Sequence, residues 1–177
     1  MTKDADPGPD LRYDSVKRDP TDLPPVAIRV VTTFEDRTRR IDLALGGEQS
    51  VAIEDGVATA FPTVRLWPVV RDLLPPVGHL RADPRGRPPL EPRLPGPGFV
   101  EDCRAFVALT VVTDDPADVP SVRSWLATDD ELWAVTPLPD GANDVAPAPP
   151  GALADLLVWD VTAALESLMH RTERRAS

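Results

Sequence analysis

Residues 105–112 read Ala105-Phe106-Val107-Ala108-Leu109-Thr110-Val111-Val112, and the next four are Thr113-Asp114-Asp115-Pro116. The run carries no charge, is rich in β-branched and aromatic side chains, and stops at residues that favour turns. A continuous apolar stretch this short predicts a strand buried on both faces rather than a helix. It is therefore expected at the centre of the core, with Leu109 in the middle of a sheet.

Downstream, Asp118 is placed to cap a short helix over residues 118–126. Val119, Val122 and Leu126 form its stripe, Trp125 lies beside it, and Pro120 is tolerated that early. Leu132-Trp133-Ala134-Val135 predicts a further strand, and residues 137–150 a Pro-rich loop. From 151 to about 171 the spacing of Leu153, Leu157, Val161, Ala164, Leu165 and Leu168 predicts a long amphipathic helix. Arg171, Arg174 and Arg175 suit its C-terminal end, where the macrodipole favours cations. Asp160 falls inside the apolar stripe, roughly 20° from Leu153 on the helical wheel. Trp159 and Met169 fall outside it, which points to a surface for self-association or for a partner.

Upstream, residues 75–98 hold eight prolines and four glycines, a composition that excludes a helix or a ladder strand. Arg81, Arg85, Arg87 and Arg93 make this loop the basic island of an acidic chain. It is either a solvated linker or an arm that meets an acidic surface, on a second subunit or on the chain's own Asp-rich edge. Before it, Leu66, Val69, Val70, Leu73 and Leu74 predict a helix starting near Trp67. Residues 26–61 read as a β-meander. Val26 to Phe34 is the first strand and 39–45 the second, with Ile41, Leu43 and Leu45 on one face. Two short strands follow across the Asp55-Gly56 hairpin signal. Residues 1–25 contain five prolines and few large apolar groups, and are expected to form a disordered acidic, Pro-rich tail. No internal repeat is evident. Residues 26–177 are thus expected to form one α+β domain: a mainly antiparallel sheet of about five strands, three helices and long Pro-rich loops.

The formal net charge is -10, with a pI near 4.6. Such a field repels nucleic acid and anionic membranes, so neither is an expected partner. No apolar run approaches the ~20 residues that span a bilayer, and no secretory leader is evident. Cys103 is the only cysteine, which excludes an internal disulfide, and the expected location is cytoplasmic. Arginine outnumbers lysine heavily and 22 of the 177 residues are proline, the usage of a high-G+C bacterial genome.

Catalytic chemistry should leave a set of mutually suitable residues. Cys103 and His79 lack the context of a nucleophile and its base. The strand–helix–strand order resembles the PD-(D/E)xK nuclease core only in outline, because no lysine follows Lys17 to fill that motif. Phosphate-binding glycine loops, zinc spacings and nucleophile elbows are absent from the sequence. No catalytic residue and no cofactor is assigned. The sequence instead predicts a non-enzymatic interaction module, such as an adaptor, secretion chaperone or assembly factor. Its partner is another protein or a second copy of itself, with Arg81, Arg85, Arg87, Arg93 and Trp159 as contact residues. The alternative is a metal-dependent hydrolase or phosphotransferase. It would use Asp114, Asp115 and Asp118, carboxylates placed after a strand end where a hard cation could be held.

Overall fold

The run at 105–112 is the core of strand β5 (Ala105–Thr113), which pairs antiparallel along its whole length with β1 (Val26–Phe34). The computed structural model of the chain describes residues 26–84, 90–115 and 117–176. From β1 the sheet grows outward through β2 (Arg37–Leu45), β3 (Gln49–Glu54) and β4 (Val57–Pro62). From β5 it grows through β6 (Ser121–Ala127), β7 (Leu132–Pro137) and β8 (Asn143–Ala148). The order is β4-β3-β2-β1-β5-β6-β7-β8, and every neighbouring pair is antiparallel. The helices are α1 (Leu66–Leu73), the single turn α2 (Phe99–Asp102) and the long α3 (Ala152–Ala176).

Eight strands replace the expected five or so, and the fold is mainly β. Two misreadings account for most of the difference. Residues 118–126 do not form a helix, since most of them build β6. Residues 137–150 are not all loop, since they include β8. Residues 1–25, expected as a tail, lie outside the described residues.

Hairpin chemistry sets two turns of the first half. Asp55 and Gly56 have φ of 49° and 80°, the mirror-image turn that the Asp-Gly pair favours. Glu35 and Asp36 hold φ of 48° and 59° between β1 and β2 without a glycine, a less comfortable choice for side-chain-bearing residues. The turn keeps β1 and β2 in a register that places Val30 opposite Ile41 on one side and Leu109 on the other.

Every second residue of the central strands points into one core. Val26, Ile28 and Val30 of β1, Ile41, Leu43 and Leu45 of β2, and Val107, Leu109 and Val111 of β5 are all buried. Trp125 and Ala127 of β6 join them, with the Trp125 indole N–H buried and without a hydrogen-bond partner. Leu153, Leu157 and Val161 of α3 and Val70 of α1 cover this face. The expectation that the 105–112 run is covered on both sides is corrected. Its burial alternates, and Phe106, Ala108, Thr110 and Val112 are only half-buried and stand outside the core.

The start of the 75–98 loop belongs to the fold as well. Val77 and Leu80 are buried in the core. Arg81 Nε donates to the carbonyl oxygens of Leu74 and Pro75 at 3.0 Å each, closing the C-terminal end of α1.

The result is a topology repeated without a repeated sequence. Each half runs four antiparallel strands and then a helix, and the halves meet at the β1–β5 ladder.

Candidate functional site

An antiparallel sheet alternates its side chains, so the residues out of phase with the core form a second face. Register assigns it Ala27, Arg29, Val31 and Thr33 of β1, Arg40 and Asp42 of β2, and Phe106, Ala108, Thr110 and Val112 of β5. On β6 and β7 it continues through Val122, Ser124, Leu126, Trp133 and Val135. None of these belongs to the core cluster.

The two sides of this face differ in chemistry. Around β1 and β2, Arg29 Nε donates to Asp42 Oδ1 at 2.7 Å and Arg40 Nη2 to Asp42 Oδ2 at 2.9 Å. Burial works to raise the Asp42 pKa, but the hydrogen bonds from Arg29 and Arg40 outweigh it and hold the carboxyl below its ordinary value. Across β5, β6 and β7 the row is mostly apolar: Phe106, Ala108, Val112, Leu126 and Val135 are half-buried, Val122 is 57% exposed, and Thr110 and Ser124 are its polar members.

One corner of the apolar side is covered by the chain itself. Phe99 of α2 meets the Trp133 ring edge-on at 5.2 Å between centroids. The Arg93 guanidinium lies 4.9 Å from the centre of the same ring and pairs with Glu131, whose other oxygen accepts from the Trp133 indole N–H at 3.2 Å. The basic arm thus reaches the chain's own acidic turn. Of the four arginines singled out in this loop, Arg81 and Arg93 are engaged within the fold, and Arg85 and Arg87 lie outside the described residues.

Beyond that corner, the ends of β1 and β5 border an open cavity of about 650 Å³, walled by Phe34, Glu35, Asp36, Cys103, Phe106 and Leu126. Burial pushes the Cys103 thiol up, the opposite of what an activated nucleophile needs. Arg104 at its rim is paired with Asp129, Nε to Oδ2 at 3.2 Å.

The acidic turn after β5 is held by local bonds. Asp118 Oδ2 accepts from the Thr113 hydroxyl at 2.6 Å, and Asp115 Oδ1 from the Ala117 amide at 2.8 Å. These are the bonds by which Asp shapes a turn. Among the described residues no group of three or more His, Cys, Asp or Glu side chains converges to hold a metal ion. Asp118, expected to cap a helix, serves this turn instead.

On α3, Asp160 is only 7% exposed and points at the sheet. It accepts from Ser121 Oγ at 2.8 Å and from Arg123 Nε and Nη2 at 3.2 Å each. Trp159, on the neighbouring face, is 70% exposed.

No protein-family model matches the chain, and no curated protein matches it. No helix among the described residues is long and apolar enough to cross a membrane.

Proposed function

We propose that this chain is a non-enzymatic cytoplasmic interaction module that holds another protein against the second face of its sheet. The observation that carries the reading is the apolar row Phe106, Ala108, Val112, Leu126 and Val135, which lies outside the core cluster with Val122 open beside it. The row is mostly apolar, with Thr110 and Ser124 between its members, and an apolar patch left outside a core supports a place where something binds. The net charge of -10 steers association toward a partner whose rim is basic. Location in the cytoplasm fits a chain with a single cysteine. Engaged within the fold, Arg81 and Arg93 serve the scaffold in this reading rather than the partner.

The test uses a neutral apolar dye, Nile red, with the folded protein, and capture of partners from the native cell. Wild type should bind the dye and retain a partner. Leu126→Glu should lose most of both with its melting temperature nearly unchanged, because the side chain adds nothing to the core. Dye binding and capture that survive Leu126→Glu would overturn the reading. Heat evolved on Mg²⁺ titration and lost in Asp115→Ala would replace it with the metal-dependent hydrolase or phosphotransferase.

A further inference from the structure

The open cavity of about 650 Å³ at the ends of β1 and β5 is continuous with the second face, because Phe106 and Leu126 belong to both. Its size falls in the range of pockets that take a ligand. Phe34, Val77, Phe106 and Leu126 give it apolar walls, and the exposed residues Glu35 and Asp36 stand beside them.

The charges of this wall do not cancel. Arg104 is its cation, and Asp129 already pairs with it. Glu35 and Asp36 make no hydrogen bond or ion pair among the described residues, not even with Arg37 next to them. Nor do their side chains brace the hairpin, whose end is tied by the Thr33 and Thr38 hydroxyls at 3.1 Å. The backbone sharpens the contrast. A mirror-image turn needs positive φ at two positions, and Asp55-Gly56 meets half of that need with a glycine. The turn at the cavity instead holds two acids at φ of 48° and 59°. What these acids add there is negative charge beside an apolar wall.

We infer that this cavity receives a basic side chain of the protein held on the second face, an arginine or lysine flanked in its own chain by apolar residues. The site rests on that reading of the face and adds to it the chemistry of the partner. A long basic side chain lays its apolar stem along Phe34, Phe106 and Leu126 and brings its charged head to Glu35 and Asp36. Its apolar neighbours continue onto the row, where Ala108 follows Phe106 on the same side of β5. The net charge of -10 attracts any basic segment, but that field belongs to the whole molecule, whereas the apolar wall beside unpaired carboxylates is local.

The probe is a fluorescent peptide of alternating leucine and arginine, read by anisotropy against the full chain at physiological salt. Glu35→Gln/Asp36→Asn should weaken its binding by about tenfold. Both replacements keep their size and Asn tolerates positive φ, so the melting temperature should hold. Glu48→Gln/Asp144→Asn removes the same charge at the opposite end of the strands and should change binding by less than about twofold. Serine in place of leucine in the peptide should also cost about tenfold. Wild type that does not bind the peptide would overturn the site. So would equal losses from the two variant pairs, which would make the attraction a property of the whole field, or a serine peptide that binds as tightly. Arginine amide binding as tightly as the peptide would give the cavity to a small free cation instead. Self-association of wild type that Glu35→Gln/Asp36→Asn abolishes would make the occupant a second copy, and would overturn the proposal too. In each of these cases, loss of Nile red from Leu126→Glu leaves the docking face standing. Nile red binding and partner capture that survive Leu126→Glu would remove the face and the site together.

Discussion

The two halves of the molecule share a plan and use it differently. Each runs four antiparallel strands into a helix, and they join at β1 and β5. In the first half the helix is eight residues long, ends where Arg81 closes it, and packs one side on the core through Val70. In the second, α3 runs on well past Val161, its last buried position among the described residues. The second face divides in the same way: Arg29, Arg40 and Asp42 on one side, Phe106, Ala108, Val112 and Leu126 on the other. The edge strands differ as well, since Pro147 and Asp144 stand in β8 while β4 has neither charge nor an interior proline. One topology thus yields a half whose second face carries an ion-paired cluster beside an uncharged edge strand, and a half that leaves an apolar row outside its own core. The second is where partners are expected.

The sharpest way to break this comparison is at the seam between the halves. Leu109 is fully buried opposite Val30, so Leu109→Ala should cost about 2–5 kcal/mol through lost burial and a cavity. Chemical denaturation followed by tryptophan fluorescence and by far-UV circular dichroism should show one transition, shifted as a whole. A separate early transition in one half would mean that the halves are two units.

The next effect in size concerns the hold of α3 on its half. Asp160 accepts from Ser121 and Arg123 through both oxygens. Removing one member of a buried pair costs about 3–5 kcal/mol, but the Arg123 side chain is 42% exposed and can turn to water. Asp160→Ala should therefore cost about 1–3 kcal/mol in urea denaturation. Asp160→Asn, which keeps an acceptor for Ser121, should recover part of it. Equal losses for both variants would make the charge the whole of the effect.

That same clamp explains why β6 was hidden in the sequence. Ser121, Arg123, Trp125 and Ala127 share the core face, and two of the four are polar because Asp160 lies above them. The period of two is lost, while Val119, Val122 and Leu126 imitate a helical stripe. Strand β8 was hidden by Pro147, which an edge strand tolerates because one side of its backbone needs no partner. The first four strands could be read because Ile41, Leu43 and Leu45 alternate with polar residues and Asp55-Gly56 marks a turn. The 105–112 run reads as central and is central, but apolar composition on both faces does not imply cover on both faces. The second-face site follows from that difference, which only the placement of the helices could reveal. The exposure of Trp159 was readable from helical phase alone.

The smallest effect tests the polar side of the second face. Asp42 has a depressed pKa, so its contribution is present above the unfolded value near 3.9 and is lost as pH falls through the lower folded value. The Asp42 side chain is 38% exposed and Arg29 51%, so solvent screens most of the attraction and the contribution should stay below about 1 kcal/mol. Asp42→Asn should thus lower the urea midpoint slightly at pH 7. The gap from wild type should narrow on acidification below about pH 4, where the native carboxylate also loses its charge. Added salt at pH 7 should narrow it in the same way. A gap that persists at low pH would assign the loss to packing or hydrogen-bond geometry. The two sides of the face would then differ in shape and not in charge.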